Sequence, residues 1–151
     1  MPVDEEEFKL FVCERQKYYW LAFKQFEETE KYSRWNWAAC LLSPAWFFYR
    51  RMYLYGLLSL LVLIASTFLE KISEPLAFMI QIVSLPLFGL LGSYFYYTHA
   101  KDKIRTIKNT IHDPELQKKK IAEAGGTSWS AALLTVLAVI VGGMISYFLG
   151  I

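Results

Sequence analysis

Three stretches without a single charged residue, 52–69, 75–98 and 127–151, constrain this 151-residue chain more than any other feature. A helix in water keeps one face wet and so carries charge along its length. A helix that crosses ~30 Å of hydrocarbon instead needs about 20 mostly apolar residues. The three runs predict an all-α polytopic membrane protein with three transmembrane helices, at residues 52–69, 75–98 and 129–151. Composition agrees, at 55% hydrophobic and 17% aromatic residues with a mean hydropathy of +0.27. The start, MPVDEEEFKLFV, is acidic and lacks the apolar core of a signal peptide. Insertion is therefore expected to rely on the internal spans.

Charge placement predicts sidedness. Of the sixteen Lys and Arg residues, eight lie in residues 1–51, seven in 99–126, and only Lys71 in the link between the first two spans. The positive-inside rule then puts the N-terminus and the 99–126 segment in the cytoplasm and the C-terminus outside. All five tryptophans (Trp20, Trp35, Trp37, Trp46 and Trp129) fall on the same side. Indole rings favour the headgroup layer, where the ring is in apolar surroundings and its N–H is wet.

Residues 35–51 read WNWAACLLSPAWFFYRR. Were this segment to cross, Arg50 and Arg51 would lie outside and the next span would have to reverse with no connection, whereas antiparallel helices need a few linking residues. Pro44 also interrupts it, removing a backbone donor. The segment is expected to be an interfacial, Pro-broken aromatic helix lying in plane, or a re-entrant dip covered by neighbouring spans. Asn36 is expected to cap it.

Residues 1–34 are expected to be cytoplasmic, with one amphipathic helix over 4–32. Asp4 can cap it, and Phe8, Phe11, Val12, Tyr19, Ala22, Phe23 and Phe26 recur at steps of three and four. Its polar face is mixed in charge, which favours packing on the chain's own 99–126 segment or on a partner over an anionic-lipid anchor. That 99–126 segment is expected to be a basic helical loop. The second span continues into it on a stripe of Ile104, Ile107 and Ile111, and a further helix opens at Asp113–Pro114 and stops at Gly125, where positive φ costs little. Thr127 or Ser128 can cap the last span.

Three stretches carry a resemblance: KYYWLAFKQFE (17–27), NWAACLLSPAWFFYRRMYLYG (36–56) and GGTS (125–128). They resemble a family of small bacterial inner-membrane proteins classed only as a domain of unknown function. The resemblance implies the membrane architecture and a bacterial inner membrane, and it implies no activity. Cys40 departs from it, standing where the pattern implies an aromatic or another small residue.

The span interiors hold no Asp, Glu, Lys, Arg or His, which argues against a pump or ion-coupled carrier. Gln81 is expected to hydrogen-bond between helices. His99, with Asp102 and Lys103 nearby, lacks a second ligand at metal-binding spacing and reads as a solvated surface histidine. Ser128 lacks the Lys of a phosphate loop and the flanks of an esterase elbow. Cys13 and Cys40 read as free thiols. No catalytic residue, cofactor or metal is expected, and a net charge of +2 is too small to suggest nucleic acid.

Two sets of residues stand out for assembly and lipid contact. Ala138, Gly142, Ser146 and Gly150 form a small-residue stripe on the last span, and Gly89 with Ser93 a shorter one on the second; such stripes let helix backbones approach closely in lipid. Either one serves within the chain and the other a second membrane protein or a second copy, or both are consumed within the chain; the sequence weighs the two equally. Trp35, Trp37, Trp46, Arg50, Arg51 and Trp129 are expected at the interface, the arginines as snorkelling anchors able to reach lipid phosphates. The leading expectation is a non-enzymatic accessory or scaffold subunit of a membrane assembly. An immunity protein against a membrane-acting toxin and a lipid-binding or membrane-shaping protein are the alternatives.

Overall fold

The computed structural model describes residues 3–29 and 35–149. Helices make up all of its regular structure: α1 (Glu5–Val12), α2 (Gln16–Thr29), α3 (Trp37–Leu41), α4 (Ala45–Tyr49), α5 (Tyr53–Glu70), α6 (Glu74–Thr110), α7 (Pro114–Ala124) and α8 (Trp129–Leu149). Three of them, α5, α6 and α8, contain stretches long and apolar enough to cross a membrane.

The predicted single N-terminal helix is two. α1 opens on Asp4, whose side chain accepts from the Glu5 amide at 2.7 Å while its own amide donates to the Glu7 carboxylate at 3.0 Å. This reciprocal cap satisfies donors that the first turn leaves unpaired. Cys13 (φ 59°) and Arg15 (φ 56°) then turn left-handed and break the helix. The apolar steps run on across the break, so both helices lay one face on the rest of the molecule: Phe8, Phe11 and Val12 from α1, Tyr19, Ala22 and Phe23 from α2. Residues 30–32, the end of the predicted helix, lie outside the described residues.

α6 organises everything else. Its 37 residues make a rod of about 55 Å at 1.5 Å per residue, far longer than the ~30 Å of hydrocarbon. Its first part pairs with α5 through a short turn, joined by Gln81, whose Nε2 donates to Ser66 Oγ at 3.1 Å as the interhelical bond expected of it. Its last part projects as a post against which α1, α2 and α7 pack. Ile104, on the predicted stripe, is fully buried there, with Ile107 partly so. Lys108 pairs with Glu7 at 2.6 Å, pinning α1 to the post.

The two ends of the molecule obey opposite rules. In the cap of α1, α2, α7 and the end of α6, the buried side chains are large and apolar, as in water-soluble cores. In α5 the buried residues are Gly56, Ser59 and Ser66, while Leu54, Leu57, Leu61 and Phe68 are exposed. Small residues inside and leucines outside is the pattern of helices packed in lipid, where close backbone contact replaces hydrophobic exclusion.

Two expected details change. α7 is capped by Asp113 and ends at Gly125 as read from the sequence, but Gly125 has φ −92° and the positive φ falls on Gly126 (80°). Gly125 is required for another reason: a Cβ there would stand 2.0 Å from the Phe11 carbonyl oxygen. His99 is not a solvated surface residue. It is half-buried between the Phe11 and Tyr55 rings, and burial holds its pKa below the ordinary imidazole value.

Candidate functional site

The Pro-broken segment folds as two single-turn helices laid against the spans. Asn36 caps α3, its Oδ1 accepting from the Ala39 amide at 3.0 Å, and its own amide donates to the Gly89 carbonyl at 2.9 Å. Pro44 opens α4. α3 packs on α6 where α6 offers only hydrogen atoms: a Cβ on Gly89 would lie 2.9 Å from the Trp35 ring, and one on Gly92 2.6 Å from the Ala39 Cβ. Ser93 is buried as well. The small-residue face predicted on the second span is therefore covered within the chain, at Gly89 by Trp35 and Cys40 of the aromatic segment.

The other stripe is open. α8 packs on α4 alone among the helices, held at its base by the Ser128 amide donating to the Tyr49 carbonyl at 2.8 Å and by Trp129 edge-on to Tyr49 at 4.8 Å. Ser128 Oγ caps its first turn weakly, at 3.4 Å from the Ala131 amide. Above that base the helix stands free: Ala138 is exposed, Ser146 is half-exposed, and a Cβ added at Gly142 or Gly143 would meet nothing within 4 Å. Gly150, the last member of the predicted stripe, lies outside the described residues.

Between α2, the α3–α4 segment and the base of α8 lies a cavity of about 620 Å³. Four of the five tryptophans line it: Trp35, Trp37, Trp46 and Trp129. Trp37 and Trp129 are about two-thirds exposed, whereas Trp46 is buried. Ala132, Leu133 and Val136 of α8 form an apolar wall, and exposed Glu14 and Arg15 stand at the rim. Tyr49 bridges to the rim, its hydroxyl donating to Glu14 at 2.7 Å.

The two arginines expected at the interface sit in different surroundings. Arg51, in left-handed backbone (φ 57°), donates to the Glu123 carbonyl at 2.6 Å and ties α7 to the start of α5. Arg50 does not snorkel; it is 3% exposed and lines the cavity. Its Nη1 donates to the Val12 carbonyl at 3.3 Å, and its guanidinium stands 4.7, 5.4 and 5.2 Å from the ring centres of Tyr19, Tyr49 and Tyr96. No carboxylate pairs with it among the described residues, and its Nε has no hydrogen-bond partner. Burial pushes the Tyr19 phenol up, as it does that of Tyr49, so these rings stay neutral and offer Arg50 a π face but no counter-charge. Asn36, itself 5% exposed, also lines the cavity, while its unpartnered Nδ2 is buried against α6, 3.7 Å from where a Gly92 Cβ would stand.

Burying a charge without a counter-ion is costly, and an unmet buried donor costs about 1–3 kcal/mol. The Arg50 Nε and the Asn36 Nδ2 are two such donors, each on a residue that lines the cavity but itself behind its surface. Sequence reasoning placed both residues at the interface but had no signal for the burial of Arg50. That burial comes from Tyr19 and Tyr96, which arrive from distant parts of the chain.

Residues 6–101 match the family described as "protein of unknown function (DUF2628)", and the chain belongs to that family. The match takes in Asn36, Arg50 and the first two spans. It stops short of α7, the GGTS at 125–128 and α8. No curated protein and no solved structure matches the chain.

Proposed function

We propose that this protein is a non-enzymatic accessory or scaffold subunit of a larger membrane assembly, joined to it through α8. The observation that carries this reading is the contrast between the two small-residue faces. The one on α6 is filled by Trp35, Ala39 and Cys40, while the one on α8 meets nothing. In lipid, helices associate by close backbone packing, so an open small-residue face suits a transmembrane helix of another membrane protein. The charge asymmetry supports a seat with the cap of α1, α2 and α7 in the cytoplasm and the end of α8 outside. The resemblance of residues 36–56 favours a bacterial inner membrane.

Gly142→Leu tests this reading, with Gly89→Leu as its folding control. In mild detergent, wild-type protein is expected to migrate with a second membrane protein. Gly142→Leu should insert to the same level yet run as a smaller particle, whereas Gly89→Leu, which drives a side chain into the Trp35 ring, should fail to fold. An unchanged particle size and unchanged crosslinking pattern for Gly142→Leu would contradict it. So would a wild-type particle made only of copies of this chain, shown by co-purification of two differently tagged forms.

A further inference from the structure

We infer that the aromatic cavity beside Arg50 is a binding site for the phosphate of an anionic phospholipid drawn from the leaflet on the cap side. The deep cation points to it. Arg50 is buried, has no carboxylate partner among the described residues and lines the cavity. A phosphate supplies the counter-charge that this guanidinium lacks, and guanidinium–phosphate hydrogen bonds are charge-assisted and strong. At the rim Glu14 and Arg15 carry opposite charges, so the deep guanidinium sets the sign of the site.

The lipid source follows from the walls. Leu133 and Val136 on α8 form one side of the cavity, and Trp37 and Trp129 stand exposed at its edge. An acyl chain leaving the phosphate would continue along α8 on apolar surface, while indole N–H groups face the headgroup layer. A soluble phosphate would satisfy Arg50 and leave the apolar wall unused. This site is separate from the α8 face above it: the cavity uses α8 up to Val136, and the open stripe begins at Ala138.

The test uses the full chain in dodecyl maltoside micelles, reading tryptophan fluorescence as phosphatidylglycerol with brominated acyl chains is added. Saturable quenching is expected with this lipid. Brominated diacylglycerol, which lacks the phosphate, should bind at least tenfold more weakly, and millimolar inorganic phosphate should not displace the lipid. Asn36→Asp keeps the oxygen that caps α3 and adds an anion to the cavity lining, and it should weaken the lipid at least tenfold. Arg50→Lys keeps the charge but loses the forked guanidinium and should do the same; where it does not fold, Asn36→Asp carries the test. Equal quenching by diacylglycerol, or wild-type affinity in Asn36→Asp, would overturn the site. Full displacement by inorganic phosphate would overturn its assignment to lipid.

Discussion

At the scale of single residues, the adjacent glycines after α7 do different jobs. Gly125 is pressed against the α1 backbone, and an added Cβ would meet the Phe11 oxygen, carbonyl carbon and Cα at 2.0, 2.7 and 2.8 Å. Backbone cannot rotate aside as a side-chain tip can. Gly126 has open space around it but φ 80°, and its amide donates to the same Phe11 carbonyl at 2.7 Å. Gly125→Ala is expected to cost about 3 kcal/mol, at the top of the range for overpacking, and Gly126→Ala about 1–2 kcal/mol for left-handed backbone. Thermal unfolding in detergent should rank Gly125→Ala clearly below Gly126→Ala. The reverse order would mean that α7 does not sit on α1 in this way. The sequence announced a helix stop here but could not say which glycine needed space and which needed its φ, because that depends on where Phe11 arrives.

At the scale of elements, α2 is latched to the α6 post by a three-residue cluster. The Tyr97 hydroxyl donates to Glu27 Oε1 at 2.5 Å, and Lys101 donates to both, at 2.5 and 3.2 Å. The Tyr97 hydrogen bond, followed by that from Lys101, holds the Glu27 carboxyl below the ordinary carboxylate range. A carboxyl depressed in the folded state contributes stability above its unfolded pKa and loses it as pH falls through the folded one. Docking of α2 should therefore weaken as pH drops below the ordinary carboxylate range. The effect should be modest, because Glu27 is about half exposed and solvent screens the pair. Amide exchange in α2 at neutral and acidic pH measures this, and Glu27→Gln should flatten the dependence. A wild-type pH profile unchanged by that substitution would count against the latch.

Much of this level was legible beforehand. Runs without charge marked the spans, Asp4, Asn36 and Asp113 marked helix starts, and Ile104 marked the continuation of α6, since each depends on residues close by in sequence. The break at Cys13–Arg15 was not legible, because neither residue is a turn former and the apolar steps resume in phase at Tyr19. Nor was the fate of the two glycine stripes. Gly89 and Gly142 look alike in a helix, and only the position of the α3–α4 segment decides which is filled.

At the scale of the whole molecule, everything proposed depends on which face of the bilayer each end occupies. The cap gathers the basic residues and the post of α6, the Arg50 cavity sits between cap and spans, and the stripe on α8 stands open beyond it. The proposed seat has the chain cross an odd number of times, with the α5–α6 turn and the end of α8 together on the side opposite the cap. The native chain supplies one probe, since Cys13 is exposed and Cys40 is buried. Ile72→Cys in the α5–α6 turn and Tyr147→Cys near the end of α8 supply two more, both at positions more than four-fifths exposed, each made in a Cys13→Ser background. The decisive measurement is labelling with a membrane-impermeant maleimide in right-side-out and inverted vesicles. Cys13 should label only in inverted vesicles, and the cysteines at positions 72 and 147 only in right-side-out ones. Labelling of positions 13 and 147 from the same face would contradict the threefold crossing and, with it, the cap, the cavity and the open helix as placed here.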